Sequence, residues 1–263
     1  MIINTLSDRV TVNGIIEELG PVLASFKHPV VCFSGGYDST ALLRNALEFC
    51  DDVTALFVVL PMNTQRQIDS AGKVAEHLGA DLTVARLGWD DLKGIENNGP
   101  DRCYICKKAI YSLAKAIAVD SPVLAGDNAD DRDDERPGHR AAEDKGVINP
   151  LKDAGIGKSR IIRAVEELEL PFPMFKDTCM ATRYPVGHPI TERDMRFAEG
   201  CESAVRKVSG LKQLRIRIDG NRALVQTDES ELPEMVRRRT QITYELKSRG
   251  LDCDLDLKPY KGQ

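Results

Sequence analysis

The stretch Ser34-Gly35-Gly36-Tyr37-Asp38-Ser39-Thr40 gathers two glycines, three aliphatic hydroxyls and a carboxylate. It follows the apolar run Pro29-Val30-Val31-Cys32-Phe33 and precedes a helix-like pattern at Leu42, Leu43, Ala46 and Leu47. Two glycines let a backbone turn tightly and approach a ligand with no clashing Cβ. Successive amide N–H groups and the positive end of the following helix then cradle an anion. Ser34, Ser39 and Thr40 can donate to phosphate oxygens, and Asp38 can help hold Mg2+. The pattern is not a Walker A loop, since no Gly-Lys-Ser/Thr follows, and it is not Gly-x-Gly-x-x-Gly. A bare Gly-Gly pair is compatible with an ordinary strand-to-helix turn. Gly126-Asp127-Asn128 closes another apolar run. It belongs at the same site if the two runs are parallel strands, whose carboxyl ends gather ligands.

Cys103-Tyr104-Ile105-Cys106 and the distant Cys179 form the second set. Their chemistry admits several readings. A C-x-x-C pair can be a redox couple, and a structural zinc ion would take four ligands, so a further Cys or His would have to join. Cys103, Cys106 and Cys179 can also hold a [4Fe–4S] cluster on three thiolates, leaving one iron open to carry a hydrosulfide. Free buried thiols are the plainest alternative. Cys32, Cys50, Cys201 and Cys253 fall within strands or helices and read as packing residues.

The elements that must position these residues are legible from periodicity. Runs at 29–33, 53–60, 81–87 and 122–125 read as short buried strands, separated by helical patterns at 37–49, 68–78 and 107–119. An opening helix is expected from Asp8 to Phe26, broken at Gly20-Pro21. Strand–helix alternation with right-handed crossovers gives an α/β fold, a doubly wound parallel sheet. Residues 127–158 are polar and read as a long functional loop. Past residue 185 the order becomes helix, strand, strand, helix, strand. Thr191 to Asp194 resembles a capping box, and Asp219-Gly220-Asn221 a hairpin turn. A basic helix over 235–247 and a strand over 251–257 follow. The expected boundaries are 1–185 for an ATP-binding and cysteine-cluster domain and 186–263 for a small α/β domain serving substrate binding and oligomerisation.

The chain has 263 residues, is 42% hydrophobic and 29% charged, and carries a net charge of −5, so no global basic field marks nucleic-acid binding. The longest apolar run, Ala55 to Met62, is too short to span a bilayer. The N-terminus lacks the blocks of a signal peptide. Seven cysteines, an odd number, do not suggest a disulfide framework in a chain of this size. A cytoplasmic location with reduced or metal-bound thiols is expected.

Together these motifs resemble the LarE family of ATP-dependent sulfur transferases, within the PP-loop (ATP pyrophosphatase) superfamily. Ser34 to Ser39 matches the PP-loop signature. The resemblance continues through 100–107, Gly126 to Asp131, Arg136-Pro137-Gly138, Cys179 to Pro185 and Leu214 to Arg217. It implies an adenine nucleotide alpha hydrolase-like domain, a smaller α/β domain and a homo-oligomer. It also implies adenylation of a carboxylate on a pyridinium-3,5-biscarboxylate mononucleotide, with loss of pyrophosphate and AMP and entry of sulfur. In such proteins ATP and Mg2+ would be held at Ser34, Gly35, Gly36, Asp38, Ser39, Gly126 and Asn128. Arg215 and Arg217, two apart on one strand, would contact substrate phosphate, and Cys179, Asp38 and Arg183 would serve catalysis. The three cysteines match members that use a [4Fe–4S] cluster recharged by an external sulfur donor. Sacrifice of Cys179 itself is the fallback. Tyr37, His188 and the stretch Met180 to Arg183 depart from the usual pattern.

A tRNA thiolation enzyme and an ATP-binding protein with structural zinc are the rival readings. Arg136 is a weaker phosphate candidate, and Lys107 can face the nucleotide. The acidic run 130–135 reads as a solvated loop that can supply a Mg2+ ligand. Arg237 to Arg239 reads as an interface or solvent face. His28, His77, His139 and His188 show no metal spacing and are assigned no role.

Overall fold

Three apolar runs become strands because their β-branched and large residues are largely buried, β1 (Val30–Cys32), β2 (Thr54–Val59) and β4 (Val123–Leu124), while β3 (Asp81–Arg86) is a half-exposed edge strand. The structure is a computed structural model that describes residues 14–131, 137–174 and 178–260. Arg136 and the acidic residues 133–135 lie outside them, as do the first residues of the expected opening helix. The parallel sheet has the order β3-β2-β1-β4, with Val30 opposite both Thr54 and Val123. The chain is therefore α/β, a parallel sheet flanked by helices, with a second small sheet further on.

The chain divides into two compact units. The first takes its described residues from Met1–Val58, Asp69–Ala85 and Lys107–Met174; the second from Val59–Ile68, Arg86–Cys106 and Phe175–Gln263.

In the first unit, helix α1 (Gly20–Leu23) starts at the Gly20-Pro21 pair that the sequence marks as a break. Proline in a first helical turn has no amide to lose. Helix α2 (Tyr37–Phe49) buries Leu42, Leu43 and Ala46 completely. Each buried leucine contributes about 1.5–3 kcal/mol. Its buried Asn45 accepts from Ile16 N at 2.6 Å and donates to Gly14 O at 3.2 Å, so a polar core residue ties the preceding segment down. Helix α3 (Gln65–His77) and helix α4 (Arg102–Ala118) connect the later strands. The region expected to be a long loop contains α5 (Pro137–Lys145), α6 (Pro150–Asp153) and the start of α7 (Lys158–Glu166). The buried face of α5 is made of Gly138, His139, Ala141 and Ala142, small or polar residues that give no apolar periodicity to read.

In the second unit, α8 (Glu192–Ser209) begins at a capping box. Thr191 N donates to Asp194 Oδ2 at 2.8 Å, and Asp194 N donates to Thr191 Oγ1 at 3.3 Å. Met195, Ala198, Cys201 and Val205 bury one face of α8, which packs on β5 (Leu214–Asp219). β5 and β6 (Arg222–Thr227) form the expected hairpin. The expected single basic helix is two, α9 (Leu232–Arg237) and α10 (Arg239–Lys247), meeting at Arg238. Arg237 and Arg238 both pair with Glu234, which partly neutralises the basic cluster. Strand β7 (Asp252–Leu255) completes the sheet in the order β5-β6-β7, parallel to β6. Among the described residues, no helix is long and apolar enough to cross a membrane.

Candidate active site

Candidate functional residues fall into two groups, one in each unit. In the first unit, the chain leaves β1 and turns at Gly35, whose φ of +73° lies in the left-handed region. A Cβ there would stand 2.7 Å from the Ala71 Cα, so no other residue fits without moving backbone. The turn fastens itself through hydroxyls. Ser34 N donates to Ser39 Oγ at 3.2 Å, Ser39 Oγ donates to Gly36 O at 3.1 Å, and the two serine oxygens lie 3.0 Å apart. Gly36 is the N-cap of α2 and has no side chain to occupy the first-turn amides. Those amides are the donors a phosphate would use.

Asp38, in the first turn of α2, accepts from Asn128 Nδ2 at 3.0 Å with Oδ1 and pairs through Oδ2 with Lys158 Nζ. Lys158 is the first residue of α7, so the positive ends of two packed helices meet at this pair. A Cβ on Gly126 would lie 3.1 Å from Asp38 C and from Ser39 N, so the end of β4 rests directly on the start of α2. β1 and β4 are neighbours, while the chain runs from β1 through α2 to β2 on the other side. The cradle thus sits at the topological switch point of the sheet, where doubly wound folds bind ligands. Ser34, Gly35, Gly36, Asp38, Ser39, Gly126 and Asn128 are brought together here. Beside them, Lys107 Nζ donates to Asp127 Oδ1 at 2.7 Å, and His139 lies under Asp127 with Nε2 3.7 Å from its Oδ2. Sequence reasoning missed Lys158 and His139. The amphipathic pattern Ile161, Ile162, Val165 just after Gly157-Lys158 was the available signal for a helix start.

In the second unit, Cys103 and Cys106 lie in the first turn of α4, three residues apart and so on one face. Cys179 is the N-cap of a 3-10 turn, Met180–Arg183. Surrounding protein atoms desolvate its sulfur and push the thiol pKa up; the hydrogen bond with Ala181 backbone and the charges of Arg102 and Arg183 pull it down, while Cys103 adds to the rise. The Cys103 and Cys179 thiols are therefore close enough to feel each other, and both residues are exposed. Three thiols are the soft donor type that an iron–sulfur cluster takes. Burial likewise pushes Cys32 up to about 12 and Cys201 up to about 11.

Asn98 holds the two cysteine-bearing segments together. It is fully buried with φ +48°, and its Nδ2 lies 2.9 Å from Pro185 O and 3.3 Å from Ala181 O. Its Oδ1 accepts from Arg102 NH1 at 3.2 Å. Asn98→Ala loses these bonds and puts alanine in a left-handed conformation, so urea unfolding should show a loss of about 2–4 kcal/mol. A loss below about 1 kcal/mol would contradict this role.

Arg183 is buried and faces inward. Its Nε donates to Glu202 Oε1 at 2.6 Å and its NH1 to Thr178 Oγ1 at 2.7 Å, so it braces the loop that carries Cys179. Arg215 and Arg217 lie on the same face of β5. Arg215 is buried, with NH1 donating to Tyr260 Oη at 2.9 Å and NH2 to Thr182 O at 3.1 Å. Desolvation, together with Arg183 and Arg217, lowers the pKa of its guanidinium, while Tyr260 opposes this. Arg217 is exposed and bonds Gln226 Oε1 at 2.9 Å. A cavity of about 400 Å3 in this unit is lined by Tyr184, Pro185, Arg217, Arg222 and Asp254, among others. Its size suits a small molecule.

No family model matches the chain. It is 29% identical over 234 residues to pyridinium-3,5-bisthiocarboxylic acid mononucleotide synthase of Lactiplantibacillus plantarum, covering 87% of this chain and 84% of that one. An uncharacterized protein of Methanocaldococcus jannaschii is 29% identical over 85% of this chain and 86% of its own. One of Synechocystis is 25% identical over 84% of each. The likeness carried by the motifs extends through most of both chains, so the chain is similar along most of its length to the LarE synthase.

Proposed function

We propose that the protein is an ATP-dependent sulfur transferase that converts a carboxylate of a pyridinium-type mononucleotide into a thiocarboxylate. The likeness to a synthase of a pyridinium bisthiocarboxylic acid mononucleotide supports sulfur transfer to such a substrate. The single observation that carries the ATP-dependent reading is the meeting of the α2 and α7 N-termini at the Asp38–Lys158 pair. Two helix ends, a lysine and a glycine turn form a site for a polyphosphate.

In the first step a carboxylate oxygen of the substrate attacks the α-phosphorus of ATP. The bond to the bridging oxygen breaks, and pyrophosphate leaves with its electron pair. The carboxylate gains a leaving group, AMP, that it lacked. The amides of Gly36 and the first turn of α2, with Lys158, stabilise the negative charge that develops on the leaving group. Asp38 offers a carboxylate to Mg2+ accompanying ATP. In the second step hydrosulfide adds to the carbonyl carbon, the C–O bond to AMP breaks, and the proton passes to solvent. Cys103, Cys106 and Cys179 are the residues that would hold a [4Fe–4S] cluster, whose open iron supplies a binding place for the hydrosulfide. Arg217, exposed beside the cavity, provides a guanidinium for the substrate phosphate, with the buried Arg215 two positions before it on β5 adding positive charge from behind.

Protein purified without oxygen is expected to be brown, to carry about four irons per chain, and to lose them in Cys103→Ala, Cys106→Ala and Cys179→Ala. With ATP, the biscarboxylate mononucleotide and sulfide, it should release AMP and pyrophosphate and exchange one carboxylate oxygen for sulfur, as read by mass spectrometry. Iron-free protein after anaerobic reconstitution would end the cluster assignment. Dehydroalanine at position 179 after turnover would identify Cys179 as the sulfur source. Absence of pyrophosphate with that substrate, alongside salt-sensitive tRNA binding, would move the acceptor to RNA.

A further inference from the structure

Asp127, Asp131 and His139 each offer a ligand atom, and the three atoms lie within 4.8 Å of one another in the first unit. The segments that bring them together are the end of β4 and the first turn of α5. His139 is 5% exposed and Asp127 9% exposed. Asp127 Oδ1 is taken by Lys107, while its buried Oδ2 accepts no hydrogen bond. The His139 Nε2 stands 3.7 Å from that oxygen, beyond hydrogen-bonding range. Two ligands each about 2.1 Å from one ion lie about 3.0–3.6 Å apart, so a contraction of a few tenths of an ångström would let both bind the same cation.

A cavity of about 360 Å3 reaches Asp127 and His139 and is also lined by Glu143, Lys152 and Asp153. It provides an entry path for an ion and room for water to complete its coordination.

We propose that Asp127, Asp131 and His139 form a binding site for a divalent transition-metal ion, separate from the Mg2+ that accompanies ATP. An imidazole with two carboxylates suits Mn2+ to Zn2+ better than Mg2+, which keeps to oxygen ligands. The ion would clip the end of β4 to α5. Asn128 lies inside that clip: its N–H donates to Asp131 Oδ2 at 3.1 Å and its Nδ2 donates to Asp38. Metal binding would thus fix the residue that orients Asp38, in a role of structure rather than of chemistry.

Mn2+ is the probe, because thiolates bind it poorly and its paramagnetism counts bound ions. Nucleotide-free protein should take up one Mn2+ per chain in an EPR titration. The bound ion should show the nitrogen modulation of a directly attached imidazole, and thermal unfolding should shift upward as Mn2+ is added. Affinity should fall at least tenfold in His139→Leu and in Asp131→Asn and stay unchanged in Asp38→Asn. The nitrogen signal needs no variant, so it decides the matter even if His139→Leu fails to fold. No uptake at millimolar Mn2+, bound Mn2+ without nitrogen coupling, or binding abolished by Asp38→Asn but kept in His139→Leu would each overturn the site.

Discussion

Lys158→Met is expected to slow pyrophosphate release about a hundred- to a thousandfold at saturating ATP, the loss typical of one preorganised group aimed at developing charge. The ammonium and the Asp38 carboxylate form a partly exposed pair, with the lysine side chain 43% exposed. Such pairs contribute about 0–1 kcal/mol to folding, so the melting temperature should hardly move while the rate collapses. That contrast separates a role toward the phosphates from a structural one. In the proposed reaction the lysine would exchange its carboxylate partner for phosphate oxygens, freeing Asp38 for Mg2+. Lys158→Arg keeps the charge but changes its shape and should restore part of the rate. Asp38→Asn should also lower turnover, with a raised requirement for Mg2+. Initial rates of pyrophosphate release across ATP concentrations test all three. A change of less than threefold in Lys158→Met would show that the pair only closes the turn.

β1, β2 and β4 were legible because parallel strands buried on both faces leave continuous apolar runs, whereas β3 is a half-exposed edge strand. All four strands fall within the segments read from the sequence. The turn at Ser34 was legible for a related reason: Gly35 and Gly36 stand at the exact point where strand periodicity gives way to helical periodicity. Lys158 and His139 were not legible. Lys158 reaches Asp38 from 120 positions away, a separation no local pattern encodes. His139 is buried on α5 among Gly138, Ala141 and Ala142, whose small side chains leave no apolar stripe to mark an inner face. Arg183 was legible as a residue worth attention but not in its orientation. Its partner Glu202 lies on α8, where one of four acidic residues in a polar helix reads as solvent-facing. Only packing reveals that Glu202 is 1% exposed.

Glu202→Ala is expected to destabilise the protein by about 3–5 kcal/mol, the cost of stranding a buried charge without its partner. Glu202 accepts from Arg183 Nε at 2.6 Å, from Arg206 NH2 at 3.1 Å and from Ile216 N at 3.1 Å. No single replacement satisfies all three donors. The exposed Glu192–Arg196 pair on the same helix is the internal control, since removing it should cost no more than about 0.5 kcal/mol. The double variant Arg183→Leu/Glu202→Leu should be far more stable than the two single losses added together, because it removes the desolvated charge along with its partner. Urea unfolding of the wild type, Arg183→Leu, Glu202→Leu and the double variant measures this coupling. The same variants also decide what Arg183 does. As a positioning residue it acts through Thr178, so its loss should lower iron retention at the cysteines before it alters ATP dependence. If Arg183→Leu instead keeps its iron and loses turnover alone, the guanidinium touches substrate and its link to Glu202 only aims it.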